Sequence, residues 1–199
     1  MNRLTKKLDE LKKQNKKALV AYLVAGDPDL DSTLDLMHMF VQSGVDVIEV
    51  GVPFTDPIAE GPIIQRAHDR AITKKTSLED IFKLITKFRL KDDETPIVLM
   101  GYLNAFIFFR HLIEENNNNS VDSILVVDIP GELNIADYGI KNENINTISL
   151  ISPTTKADRI KSIANNSSGF IYYVTLRAVS YTHLRAHETL RYLVCRLLL

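Results

Sequence analysis

Short runs of β-branched and apolar residues alternate with stretches of helical period from the N-terminal segment to about Thr175. That alternation restricts the chain to repeated βα units around a parallel sheet. The runs are Leu19 to Val24, Val45 to Val50, Pro96 to Met100, Ser123 to Val127, Thr147 to Ile151 and Phe170 to Thr175, which predicts six strands. Their apolar character is almost continuous because both faces of such a sheet are covered.

The intervening segments carry helical signals. Ser77 precedes Asp80 by three residues, as in a capping box, and Ile81, Leu84, Ile85 and Phe88 follow with one apolar stripe. Leu34, Met37, His38 and Val41 repeat that spacing after the turn Gly26-Asp27-Pro28, with His38 expected to be partly buried on the stripe. Thr155 with Asp158 is expected to cap a helix carrying Ile160 and Ile163. The run Asn116 to Asn119 reads as a loop without chemistry.

A net charge of −1 leaves no excess positive field for a phosphate backbone, so nucleic acid is not an expected partner. The one basic cluster, Lys6, Lys7, Lys12, Lys13, Lys16 and Lys17, shares its segment with Leu4, Leu8 and Leu11 at helical spacing. It is the solvated face of an amphipathic helix. No apolar stretch approaches the roughly 18 residues that cross a bilayer, and lone Cys195 has no intramolecular disulfide partner. A cytoplasmic chain without membrane contact is expected.

Units of this length fit either an open doubly wound sheet or a (β/α)8 TIM barrel. No G-x-G-x-x-G follows the first strand, which removes the usual device for bringing a helix N-terminus to a pyrophosphate. In the second strand, Val47, Glu49 and Gly51 share one face. A carboxylate near a C-terminal strand end stands where barrel enzymes place catalytic groups, and desolvation there raises its pKa toward the range useful for proton transfer. A structural ion pair would use the same residue equally well. Glu60, on the loop that follows, adds a second carboxylate at the same mouth, and two carboxylates in different environments can divide acid and base roles.

The string from Glu49 to Ala67, EVGVPFTDPIAEGPIIQRA, closely resembles the signature of the tryptophan synthase α chain family. Ala25-Gly26-Asp27-Pro28, Met100-Gly101-Tyr102-Leu103-Asn104, Asp128-Ile129-Pro130 and Gly169-Phe-Ile-Tyr172-Tyr173-Val support it in register, and the resemblance covers residues 1 to about 178. It implies a (β/α)8 barrel that splits indole-3-glycerol phosphate into indole and glyceraldehyde 3-phosphate without a cofactor. Glu49 would be the principal acid/base group, protonating the indole carbon to be released and taking the proton of the adjacent side-chain hydroxyl. The second carboxylate would accept a hydrogen bond from the indole N–H.

The family pattern has aspartate at that second position, where this chain has Glu60. One added methylene moves the carboxylate by ~1 Å, a displacement that can cost roughly 100-fold in rate. Tyr22, Met100, Tyr102, Leu125 and Tyr172 match positions that line the indole pocket in the family, although each is also acceptable as barrel core. Pro53, Asp56 and Pro57 fall in the loop that touches the β subunit in the family's α2β2 tetramer. That β subunit receives indole through a tunnel and carries the pyridoxal phosphate.

A complete barrel of this type takes typically ~250 residues and often binds phosphate with the loops after strands seven and eight. This sequence has 199 residues and six predicted strands, so the expected domain, residues 1–178, is an incomplete barrel of about six βα units. After Ala178 the family's lid sequence is replaced by Val179-Ser180-Tyr181, and residues 179–199 carry Arg185, Arg191 and Arg196 but no Lys, Asn, Asp, Ile, Gly or Pro. That segment resembles translated sequencing-adapter read-through and reads as a non-native tail. His183, His187 and Glu188 stand near zinc-ligand spacing but lack the usual order and a third ligand. Two readings of the whole follow. One is an α chain carrying the catalytic groups but expected to be poorly soluble and inactive as written. The other is a non-catalytic truncated barrel that binds a β subunit.

Overall fold

The six apolar runs form six strands: β1 (Val20–Val24), β2 (Val47–Gly51), β3 (Ile97–Gly101), β4 (Ser123–Val126), β5 (Asn146–Ile151) and β6 (Ile171–Tyr173). The computed structural model describes residues 2–115 and 120–174. Within them all five neighbouring pairs are parallel, in the order β1-β2-β3-β4-β5-β6. The sheet curls into an incomplete barrel, and among the described residues β1 and β6 are its edges. The strand ends differ from the sequence expectation by one or two residues.

Parallel strands need a return crossover, which is supplied mainly by helices. Among the described residues these are α1 (Arg3–Lys13), α2 (Leu30–Gln42), α3 (Pro62–Thr73), α4 (Leu78–Arg89), α5 (Leu103–Phe108), α6 (Arg110–Glu114) and α7 (Ala157–Asn166), with a 3₁₀ turn at Ile135–Tyr138. Helix α4 begins with the expected capping box between Ser77 and Asp80, and Ile81, Leu84, Ile85 and Phe88 are all buried. His38 is half-buried and stacks on Phe88 with ring centroids 4.9 Å apart. Helix α7 does not start as expected. Its N-cap is Lys156, without a side-chain bond, because the Thr155 hydroxyl instead accepts the Ser152 N–H at 2.9 Å.

Strand parity divides the core in two. Ile48, Val50, Ile97, Leu99, Ile124 and Val126 face outward onto Met37 of α2 and Leu78, Ile81, Ile85 and Phe88 of α4. Val47, Val98, Leu125 and Ile148 face inward, where Phe170 and Leu4 of α1 join them. Helix α1 therefore closes the floor of the arc with its apolar side and leaves Lys6, Lys12 and Lys13 to solvent, with Lys7 half-buried. Asn2 fixes it there, capping the helix through Leu4 N–H and donating to the carbonyls of Asp122 and Asn144.

The floor is also where charge is buried. Asp122, 2% exposed, accepts from the Ile97 N–H at 2.9 Å, from Arg89 at 3.0 Å and from Arg3 at 3.3 Å. Arg89, at the end of α4, further donates to the carbonyls of Ser120 and Thr95.

Candidate active site

Glu49 lies on the inward face of β2, two residues beyond Val47. It is 4% exposed, and its Oε1 has no hydrogen-bond partner among the described residues. Burial raises its pKa, and the nearby charge of Glu60 raises it further, to about 7. Among the described residues Glu49 forms no ion pair, the structural alternative that the sequence left open. Instead the carboxyl is held near half-protonation at neutral pH, the condition under which one group can both give and take a proton.

Strand register explains what surrounds it. Tyr22 on β1 is the partner of Glu49, and Gly51, Met100, Leu125 and Ile148 are partners in turn along the next inward level. Gly51 is required by the Tyr22 phenol: a Cβ there would lie 2.2 Å from the phenolic oxygen. Burial first, then the charges of Glu60 and Glu49, raise the Tyr22 phenol above its ordinary value, so it stays protonated. Met100 and Tyr172 are half-buried beside the inner core, whereas Leu125 is fully buried within it.

Glu60 reaches the same mouth by way of the loop 52–61, which four contacts hold. Phe54 stacks on Tyr102 with centroids 4.4 Å apart, and the Tyr102 hydroxyl accepts the Ala59 N–H at 3.0 Å. Gln65, in the first turn of α3, donates to the Glu60 carbonyl at 2.9 Å. His68, also on α3, accepts the Phe54 N–H on its Nδ1 at 3.1 Å. The Glu60 carboxyl is half-buried and burial raises its pKa too. The loop's outer side carries Asp56 and Ile58 into solvent, the latter 85% exposed, while Pro53 is half-buried and Pro57 is buried within the chain.

The structure brings Glu49, Glu60, Tyr22, Tyr102, Met100 and Tyr172 together at one mouth, and sets beside Tyr22 a further residue, His68, which the sequence reading did not single out. The signal was a histidine between Ile64 and Ala71 on the buried face of α3. A groove between α2 and α4, lined by Asp35, His38, Met39 and Lys91, lies across the sheet from Glu49 and takes no part. Among the described residues no cluster of His, Cys, Asp or Glu could hold a metal, and no helix is long and apolar enough to cross a membrane. Asn116 to Asn119, His183, His187, Glu188, Cys195 and the tail 179–199 lie outside the described residues.

A parallel α/β barrel arc with a desolvated carboxyl toward the C-terminal strand ends has the geometry in which barrel enzymes place their acid/base groups. A family model described as "Tryptophan synthase alpha chain" matches residues 8–198, running beyond Ala178 into residues outside those described. The tryptophan synthase alpha chain of Nitrosomonas europaea is 43% identical over 193 residues, which are 94% of this chain and 70% of that one. That of Neisseria gonorrhoeae is 47% identical over 167 residues, 82% of this chain and 64% of the relative. Among solved structures, tryptophan synthase subunit alpha from Legionella pneumophila superposes with a TM-score of 0.82 at 40% identity, covering 88% of this chain and 68% of that one. A chain of the tryptophan synthase α2β2 complex from Pyrococcus furiosus does so with a TM-score of 0.73 at 38% identity, covering 80% and 66%. The chain belongs to the tryptophan synthase alpha chain family, of whose members it spans about two thirds of the length.

Proposed function

We propose that the mouth of this barrel arc is the site at which indole-3-glycerol phosphate undergoes retro-aldol cleavage to indole and glyceraldehyde 3-phosphate. The observation that supports this reading is the buried carboxyl of Glu49, whose Oε1 has no partner among the described residues and which is held near pKa 7. The carbon–carbon bond breaks only after the ring carbon that bears the side chain becomes tetrahedral. Protonated Glu49 delivers that proton and, as the carboxylate, accepts the proton of the adjacent hydroxyl while the bond opens. Positive charge then develops on the ring nitrogen, and the Glu60 carboxylate accepts its N–H. Two carboxyls with different surroundings divide the roles, and each ionisation raises the cost of the other. No cofactor enters these steps. In this reading the pyridoxal phosphate belongs to a partner β subunit, and the exposed Asp56 and Ile58 of the loop 52–61 are where that partner would sit, in the cytoplasm.

The described residues supply six strands and the relatives are longer, so turnover is read in a chain completed with the C-terminal third of the N. europaea relative. Indole release is expected from that chain, with a fall of about 1,000-fold or more on Glu49→Gln, since general acid–base catalysis is worth roughly 100- to 10,000-fold. Equal release with and without the Glu49 carboxyl would sink the assignment.

A further inference from the structure

His68 is 2% exposed, yet the proposed chemistry gives it no proton to move. Its ring sits on α3 with Ile64, Ala67 and Ala71, the face that packs on Val24 and Tyr22 of β1. Both ring nitrogens meet groups from other elements. The Phe54 N–H points at Nδ1 from 3.1 Å, and the Tyr22 hydroxyl lies 3.4 Å from Nε2, at the long limit of a hydrogen bond. A backbone N–H can only donate, so Nδ1 carries the lone pair and the neutral ring bears its proton on Nε2, aimed at the Tyr22 oxygen. Burial lowers the His68 pKa, against the smaller opposing charge of Asp69, and so favours this neutral form.

The two groups that His68 holds belong to different walls of the mouth. Tyr22 lies over Gly51, on the strand that carries Glu49, and is the register partner of Glu49 itself. Phe54 stacks on Tyr102, whose hydroxyl holds the Ala59 N–H, one residue before Glu60. One buried ring therefore ties β1, the strand paired with the one bearing the first carboxyl, to the loop bearing the second.

We propose that His68 is a positioning residue that sets the gap between Tyr22 and the loop 52–61, and thereby the fit of a flat indole ring between Glu49 and Glu60. The ligand half of this statement rests on the function proposed above; the His68 contacts do not.

Two isosteric variants separate the two ends of the ring. Asparagine at 68 can keep an acceptor where Nδ1 stood but has no donor for Tyr22, while glutamine reaches the Nε2 position with a donor amide and loses the acceptor. The 199-residue chain is labelled with ¹³Cζ-tyrosine, the Tyr22 signal being assigned by Tyr22→Phe. The expected result is a displaced Tyr22 signal in His68→Asn with Phe54 amide exchange still slow, and the reverse pattern in His68→Gln. Unchanged Tyr22 and Phe54 signals in both variants would overturn the proposal. The second readout uses indole as the probe. The chain has no tryptophan, so fluorescence excited beyond the tyrosine band reports indole alone. Indole affinity is expected to fall about threefold to tenfold in each variant, the worth of one net hydrogen bond. Unaltered affinity despite displaced Tyr22 and Phe54 signals also overturns it. Absence of saturable indole binding in the unsubstituted chain, with the displaced signals present, would overturn the function assigned to the mouth while leaving His68 as the tie between its walls.

Discussion

The floor and the mouth of the arc each bury a carboxyl group, and they treat it in opposite ways. Asp122, at the floor, is surrounded by the Ile97 N–H and two guanidinium groups. Glu49, at the mouth, has an oxygen with no partner among the described residues. Burial pushes both carboxyls upward, but at the floor the backbone N–H, Arg89 and Arg3 pull back, whereas at the mouth a second carboxylate adds to the push. Arg89 is itself pushed down by burial to about 10, which still leaves it charged at neutral pH. The floor therefore uses ionic groups to close the structure, while the mouth holds one at a cost in stability, as sites built for proton transfer do.

The most disruptive way to break this contrast is Asp122→Ala. It leaves Arg89 buried without its countercharge and the Ile97 N–H without an acceptor, and removing one member of a buried pair costs about 3–5 kcal/mol. The urea midpoint should fall accordingly, or the variant should fail to accumulate as folded protein. A loss below ~1 kcal/mol would show that the floor network is incidental.

Glu49→Gln should do the opposite, in a pH-dependent way. The folded pKa of Glu49 is raised from an ordinary 4.5 to about 7. Below pH 4.5 the group is protonated in both folded and unfolded chains, and its ionisation costs the fold nothing. As pH rises from there through 7 the unfolded chain loses its proton first, so stability declines, by about 3 kcal/mol in all at ~1.4 kcal/mol per unit. A neutral amide avoids that decline. The variant should match the unsubstituted chain near pH 4 and exceed it by about 3 kcal/mol at pH 8.5, measured by urea unfolding at both values. Equal stability at pH 8.5 would mean that Glu49 has a partner in solution and is not a strained carboxyl.

The two regions were also unequally legible in the sequence. The inward placement of Glu49 follows from strand parity with Val47, and the strands themselves from apolar runs covered on both faces. The floor network was invisible because Arg3, Arg89 and Asp122 are brought together by closure of the arc and share no local pattern. Histidines show the same limit. His38 and His68 both lie on apolar helix faces, yet one only stacks on Phe88 while the other ties Phe54 to Tyr22. Residue type and periodicity place a side chain on a face, but what it meets there depends on which strand comes alongside. Thr155 illustrates the error in a local signal: its hydroxyl accepts the Ser152 N–H and does not cap α7.

The smallest effect sharpens the contrast along a single element, because α4 starts with the Ser77 capping box and ends at Arg89 in the floor network. At the start, the Ser77 side chain accepts the Asp80 N–H and the Asp80 carboxylate accepts the Ser77 N–H at 3.1 Å. These bonds satisfy two helix-end donors that water reaches easily once they are released. Ser77→Ala should therefore cost about 1 kcal/mol, the usual worth of an N-cap. It should also speed amide exchange only in the first turn of α4, leaving the buried Ile85 and Phe88 protected. Asp122→Ala, acting on the other end of the same helix, should loosen the whole element. If the cap variant instead lost as much stability as the floor variant, the stability of α4 would reside at its start, and the division between a closing floor and a permissive mouth would have to be abandoned.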